Sequence, residues 1–279
     1  MDFATLAGLV LGFGAIFVAA YFGGTDPAVI FGRWEAIFLV VGGTFGATIV
    51  SFPWRTFSTG FILGLRTAFS DVDFHEREIV STLVSFAEKA RREGLLALEN
   101  EATALDDDFL RQGLQLVIDG RDTEIIRKVM ETEVSYVQER GTKAEMVFTA
   151  LGGYSPTLGI IGTVLGLIGM LKGLSALGNT TNVAGTIGVA TAEAFVATFF
   201  GIMLANLLWL PLASRIKERF GQLLLVREIM IEGVLAIQAG DNPRLLEEKL
   251  LAFIDPRDRE PEVEEGGAVP EAGLSASSA

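Results

Sequence analysis

The sequence has no cysteine and a single histidine, His75. Without thiols there are no disulfides, no thiolate metal sites and no cysteine nucleophile. One imidazole rules out a centre that needs two and argues against a histidine-based triad. Basic residues are outnumbered: 22 Lys and Arg stand against 35 Asp and Glu, a formal charge of −13. Nucleic acid as a main partner needs a basic face, so that class is disfavoured. Also missing are a P-loop, a GxGxxG following a strand and an HExxH motif. No Ser/His or paired-Asp arrangement falls within an apolar run, which an intramembrane protease would require. The sequence therefore reads as a non-enzyme, with no catalytic residue, no metal site and no tightly bound cofactor.

What is abundant is apolar surface. Half of the residues are hydrophobic and the mean hydropathy is +0.44, wrong for an ordinary soluble domain. Four stretches are long and almost free of charge: Phe3–Phe22, Ala36–Phe52, Met146–Leu171 and Thr186–Ser214. Crossing a hydrocarbon core takes about 20 helical residues, so each predicts a membrane span. The first run is not a signal peptide, because it lacks a basic leader and a second apolar run follows it closely. Lys and Arg are partitioned unevenly. Twelve lie between spans two and three and eight after span four, against Arg33 and Lys172 in the two short remaining loops. The positive-inside bias places the long middle segment, the C-terminal segment and hence both termini in the cytoplasm.

The fold class that follows is an all-α membrane protein, with four transmembrane helices and a helical cytoplasmic domain between spans two and three. Residues 1–55 form a transmembrane hairpin and 56–145 the cytoplasmic domain. Residues 146–214 form spans three and four, 215–254 are C-terminal cytoplasmic helices, and 255–279 are a disordered acidic tail. In the cytoplasmic segment Ile79, Leu83, Phe86 and Ala90 recur at helical spacing, as do residues of 108–118 and 122–140. Gly94, Gly113, Gly120 and Gly141 punctuate it. The tail carries seven acids against Arg257 and Arg259, too polar to bury a core.

Within the spans a few residues stand out, each with more than one reading. Gly159, Gly162, Gly166, Gly169 and Gly173 form a stripe along span three, where another helix can approach closely. Thr163 and Thr198 either bond their own helix backbone or lend hydroxyls to an ion path. Asn206 is a weaker member of that set. Glu193 is a carboxylate within span four; it either faces a cavity or partner, or sits solvated near the outer interface by the helix N-terminus. Pro156 and Pro211, near the inner ends of spans three and four, give static kinks or coupling hinges. In the cytoplasm Arg91, Arg92 and Glu99 lie in ARREGLLALE (Ala90–Glu99), by pattern a solvated face.

Two of these stretches resemble a known family. SPTLGIIGTVLGLIGMLKGL (Ser155–Leu174) and GVATAEAFVATFFGIMLANLLWLPLA (Gly188–Ala213) are similar to the last two spans of the MotA/TolQ/ExbB proton-channel family. A two-span hairpin before the cytoplasmic segment, together with ARREGLLALE and the two prolines, is similar to its flagellar-motor branch, MotA and PomA. The resemblance covers roughly residues 1–255. It implies a flagellar motor stator subunit, with chains ringed, five in number, around two MotB- or PomB-like single-span partner chains that supply an intramembrane Asp. It implies translocation of H+ or Na+ and torque on the rotor protein FliG. It further implies that Thr163, Thr198, Glu193 and Ala197 line the ion path. Pro156 and Pro211 would couple, and Arg91 and Glu99 would contact the rotor. The alternative is a TolQ/ExbB-type energiser of an outer-membrane system, against which four spans count. A self-sufficient transporter would call for inverted repeats, and a membrane scaffold would leave the polar intramembrane residues without a purpose.

Overall fold

The computed structural model describes residues 3–24, 30–70, 76–176 and 183–256, and among these every regular element is helical. The acidic tail from residue 257 and His75 lie outside the described residues. The first apolar run becomes α1 (Phe3–Phe22) and the second α2 (Trp34–Ser51). Neither has a polar face, as a lipid-embedded helix requires. Phe52 ends α2 in an extended conformation (φ −130°, ψ 145°), which its position before Pro53 favours. Pro53 then introduces α3 (Trp54–Phe69), an amphipathic helix that buries Phe57, Gly60, Gly64 and Ala68 along one face.

The third run is only part of a helix. Sequence spacing predicts a cytoplasmic helix over 122–140, a break at Gly141, and then a span. Instead α7 (Thr123–Ala176) runs unbroken for 54 residues, about 80 Å at ~1.5 Å per residue. Gly141 stays helical because it serves packing. A Cβ there would come within 2.5 Å of the Phe220 ring. Gly113 likewise lies buried inside α6 (Asp108–Ile118). Gly94 and Gly120 do end helices, at φ values of 87° and 70° that side-chain-bearing residues rarely adopt. The fourth run forms α8 (Val183–Leu204), a π-helical turn at Ala205–Trp209, and α9 (Leu210–Ala239).

Four helical stretches are long and apolar enough to cross a membrane: Thr5–Phe22, Trp34–Ser51, and the apolar parts of Thr123–Ser175 and Ile187–Ala239. The chain divides into two compact units, Met1–Phe74 with Arg127–Glu228, and His75–Ile126 with Ile229–Ala279. Each therefore joins stretches that are far apart in sequence.

In the first unit Phe57, Phe148, Leu151, Trp209, Leu212 and Ile216 form a buried cluster. Phe61 stacks on Phe148 with centroids 5.4 Å apart, and Phe45 meets Trp209 edge-on at 5.7 Å. Such pairs add to simple burial. In the second unit α4 (Glu76–Glu93) buries Val80, Leu83, Phe86 and Ala87. A short 3-10 turn (Leu95–Leu98), α5 (Glu99–Ala104), α6 and α10 (Pro243–Leu251) complete it. Leu83 packs onto Gly233, where a Cβ would lie 2.5 Å from its methyl group. Asp107 and Asn242 cap α6 and α10 by accepting hydrogen bonds from the Leu110 and Arg244 amides, at 2.9 and 3.1 Å.

Candidate functional site

The glycine stripe is not used evenly. A Cβ on Gly159 would lie 2.9 Å from the Ala197 carbonyl oxygen and 3.0 Å from the Thr198 Cα. On Gly162 it would meet the Ala197 Cβ at 2.5 Å, and on Gly166 the Ala194 Cβ at 2.8 Å. These three glycines hold α7 and α8 in backbone-to-backbone contact. Among the described residues nothing lies within 4 Å of a Cβ on Gly169 or Gly173. Gly201 on α8, not singled out from sequence, is the reciprocal partner: its Cβ would lie 2.6 Å from the Ser155 carbonyl oxygen and 3.0 Å from the Gly159 Cα. The signal was its position three residues after Thr198, on the face that meets the stripe.

That approach brings Thr163 and Thr198 together. Their hydroxyls are hydrogen-bonded to each other across the two helices. The Thr163 hydroxyl also lies 3.2 and 3.3 Å from the Gly159 and Ala194 carbonyl oxygens and the Thr198 hydroxyl 3.2 Å from that of Gly159; with one proton each, the two hydroxyls bond to one another and share the remaining proton among these carbonyls. One carbonyl, that of Gly159, thus faces both hydroxyls. The pair is half-buried, while Ala197 is buried against Gly162. The backbone of Glu193 lies in α8, but its side chain lies outside the described residues. A site of two hydroxyls and neighbouring carbonyls offers uncharged oxygen to a passing cation or proton-carrying water. Among the described residues it holds no titrating group. Asn206 is exposed and donates to the Ile202 carbonyl of its own helix at 2.9 Å.

The two prolines flank one helix crossing. Gly152 packs against Leu210, where a Cβ would lie 2.5 Å from the Leu210 methyl. Pro156 follows Gly152 by one turn, and Pro211 follows Leu210 directly. Pro156 sits inside α7, where it removes a backbone donor. Pro211 comes just after the π turn, which takes up the register change that the missing N–H imposes. Nearby, the Tyr154 hydroxyl is 2.8 Å from the Ser51 hydroxyl at the end of α2, a tether that the sequence does not announce. Ser155 is fully buried with no hydrogen-bond partner for its hydroxyl.

Arg91 and Glu99 belong to the second unit. Arg91 lies in the last turn of α4 and Glu99 opens α5; both are exposed. Among the described residues neither is in an ion pair. Lys89 pairs with Glu101 at 2.5 Å, and that hydrogen bond raises its pKa above the usual 10.5. Among the described residues no group of three or more His, Asp or Glu is placed to hold a metal ion.

Comparison with known proteins places this arrangement. Residues 101–229 match the description of the MotA/TolQ/ExbB proton channel family. Motility protein A of Treponema phagedenis is 39% identical over 259 residues, 93% of this chain and 96% of that protein. Chemotaxis protein PomA of Vibrio alginolyticus is 31% identical over 95% of this chain and its own full length. The structure resembles a chain of the flagellar MotAB stator complex of Bacillus subtilis, with a TM-score of 0.82 and 34% identity over 91% of this chain and 96% of that one.

Proposed function

We infer, from a chain that belongs to the MotA/TolQ/ExbB proton channel family, that its work is that of a flagellar motor stator subunit. It is a multi-pass membrane protein that acts in an oligomeric complex with a MotB-type partner and takes part in ion translocation. The observation that carries this reading is the match to motility proteins over more than nine-tenths of the chain, and the hydroxyl-bearing seam between α7 and α8 supplies a close helix approach that suits a channel wall. Relatives of that kind, and four candidate spans, favour it over the TolQ/ExbB alternative.

In detail, five chains ring two single-span partner chains in the inner membrane, both termini of each of the five being cytoplasmic. The partner brings the titrating Asp. Thr163, Thr198, Glu193 and Ala197 line the passage for H+ or Na+. Pro156 and Pro211 transmit its occupancy along α7 and α9. Arg91 and Glu99, on the rotor-facing part of residues 56–145, push on FliG. Residues 1–55 form the outer hairpin, 146–214 carry the ion path, 215–254 return to the cytoplasm, and 255–279 trail as an acidic tail. Support comes from the exposure of Arg91 and Glu99, from the shared crossing of the prolines, and from the pairing of the two threonines.

Thr198→Val tests the passage. It removes the bonds to Thr163 and to the Gly159 carbonyl, about 0.6 to ~1.7 kcal/mol for an interhelical hydrogen bond in a membrane. The variant should assemble with its partner and insert normally yet swim poorly. Wild-type swimming would remove the threonine pair from the ion path.

A further inference from the structure

Within the first unit a cavity of about 500 Å³ opens where α3, α7 and α9 meet. Arg66, Arg140 and Arg219 line it, with Thr67 and Ser70. Among the described residues no carboxylate lines it. In a chain with 35 acids and only 22 bases, three guanidiniums around one cavity are a concentration of charge that the motor reading leaves unused. Phe220 and Leu223 give the same cavity an apolar wall. Arg66 lies in the last turn of α3, where the helix dipole favours a cation and holds it in place.

The depth matters as much as the charge. Arg140 precedes the apolar run that starts at Met146 by six residues, and Arg219 follows the run that ends at Ser214 by five. At ~1.5 Å per residue both lie roughly 7 to 9 Å beyond the ends of those apolar runs, on the side of the spans where a headgroup layer follows the hydrocarbon. Arg140 and Arg66 are exposed at the rim, while Thr67 and Ser70 are half-buried. Guanidiniums suit phosphate because they donate in a planar fork, and hydroxyls complete its shell.

We propose that this cavity binds the phosphate headgroup of an anionic phospholipid of the inner leaflet, with an acyl chain along the apolar wall. An anion of this chemistry could also be free inorganic phosphate, but Phe220 and Leu223 would gain nothing from it. The inference requires that the apolar helices cross a bilayer; it does not require the motor reading.

The test uses the complex purified with its partner and native mass spectrometry in mild detergent. Phosphatidylglycerol is added, and phosphatidylcholine serves as the zwitterionic control. Wild type should retain phosphatidylglycerol in preference to phosphatidylcholine. Arg66→Gln should weaken retention about five-fold and Arg66→Gln with Arg219→Gln roughly thirty-fold, as expected for the loss of one and two basic contacts to an anionic surface. Equal retention of the two lipids by wild type overturns the proposal, and this arm needs no variant to fold. So does undiminished retention in a folded double variant. Displacement of the lipid by millimolar inorganic phosphate would assign the site to free phosphate and overturn the lipid. Retention that appears only after truncation following Pro256 would mean the acidic tail occupies the site, and would overturn it too.

Discussion

Gly201→Ala is the sharpest perturbation of the helix seam, because what blocks the added methyl is backbone. Its Cβ would lie 2.6 Å from the Ser155 carbonyl oxygen and 3.0 Å from the Gly159 Cα, where ordinary contact begins near 3.4 Å. No side chain can rotate away, so α7 and α8 must separate locally by most of an ångström. Overpacking of this kind costs about 1 to 3 kcal/mol, against about 1 kcal/mol regained from the better helix propensity of Ala. The Thr198 bond to the Gly159 carbonyl, already 3.2 Å long, stretches past useful length with the same movement. The matched control is Gly169→Ala, on the same stripe but with nothing within 4 Å of its Cβ. Thermal unfolding of the purified complex and swimming speed are the two readouts. Gly201→Ala should lower the melting temperature and slow swimming, while Gly169→Ala should leave stability unchanged or slightly raised. Equal effects of the two substitutions would refute the claim that only the lower part of the stripe is a packing seam.

Reversing Glu99 to Lys should reduce torque at high load without altering membrane insertion, since the residue is exposed at the start of α5; bead-assay torque equal to wild type would take it out of the rotor contact. Reconstituted alone, the chain should not dissipate a proton or sodium gradient, because on the proposed reading the essential Asp comes from the partner; a steady current would favour a self-sufficient channel. The Lys89 ammonium, with its pKa raised by the bond to Glu101, contributes stability that is complete below pH 10.5 and lost as pH rises through its higher folded value. The advantage of wild type over Lys89→Met in denaturation should therefore be flat from neutral pH to about pH 10 and shrink above it; an advantage that grows there would contradict the pairing.

The spans were legible because a bilayer is a uniform solvent, and its demand on composition is read directly from a run of residues. Phe3–Phe22 emerges with the bounds that its apolar run has. What composition cannot convey is which neighbour a small residue meets. Gly141 and Gly94 look alike in sequence, yet one accommodates the Phe220 ring inside a helix and the other adopts φ 87° to end one. Gly159 and Gly169 share a stripe, but only the first is covered by α8. The amphipathic helix α3 was hidden for a related reason: two of its four buried positions are glycines, Gly60 and Gly64, which carry no hydrophobic signal. Their role is visible only once the Phe148 ring is seen over Gly64.

The threonine pair also shows why the seam and the passage are one problem. Thr163 and Thr198 bond to each other, and both lean on the single carbonyl of Gly159. As they stand, the hydroxyls are satisfied and stabilise the contact between α7 and α8. An ion or a hydrated proton that uses the same oxygens must compete with those bonds, and their net worth, at most ~1.7 kcal/mol each, is small enough to be exchanged at every passage. The same exchange loosens the contact that Gly159 and Gly201 make possible. If ions pass as proposed, occupancy of the site bears on the spacing of two helices, one of which continues past Pro156 for 33 residues to Thr123 and the other through a π turn into α9. A weak site built on a tight seam is thus suited to turn transient binding into movement, where a strong, closed site would only hold its ion.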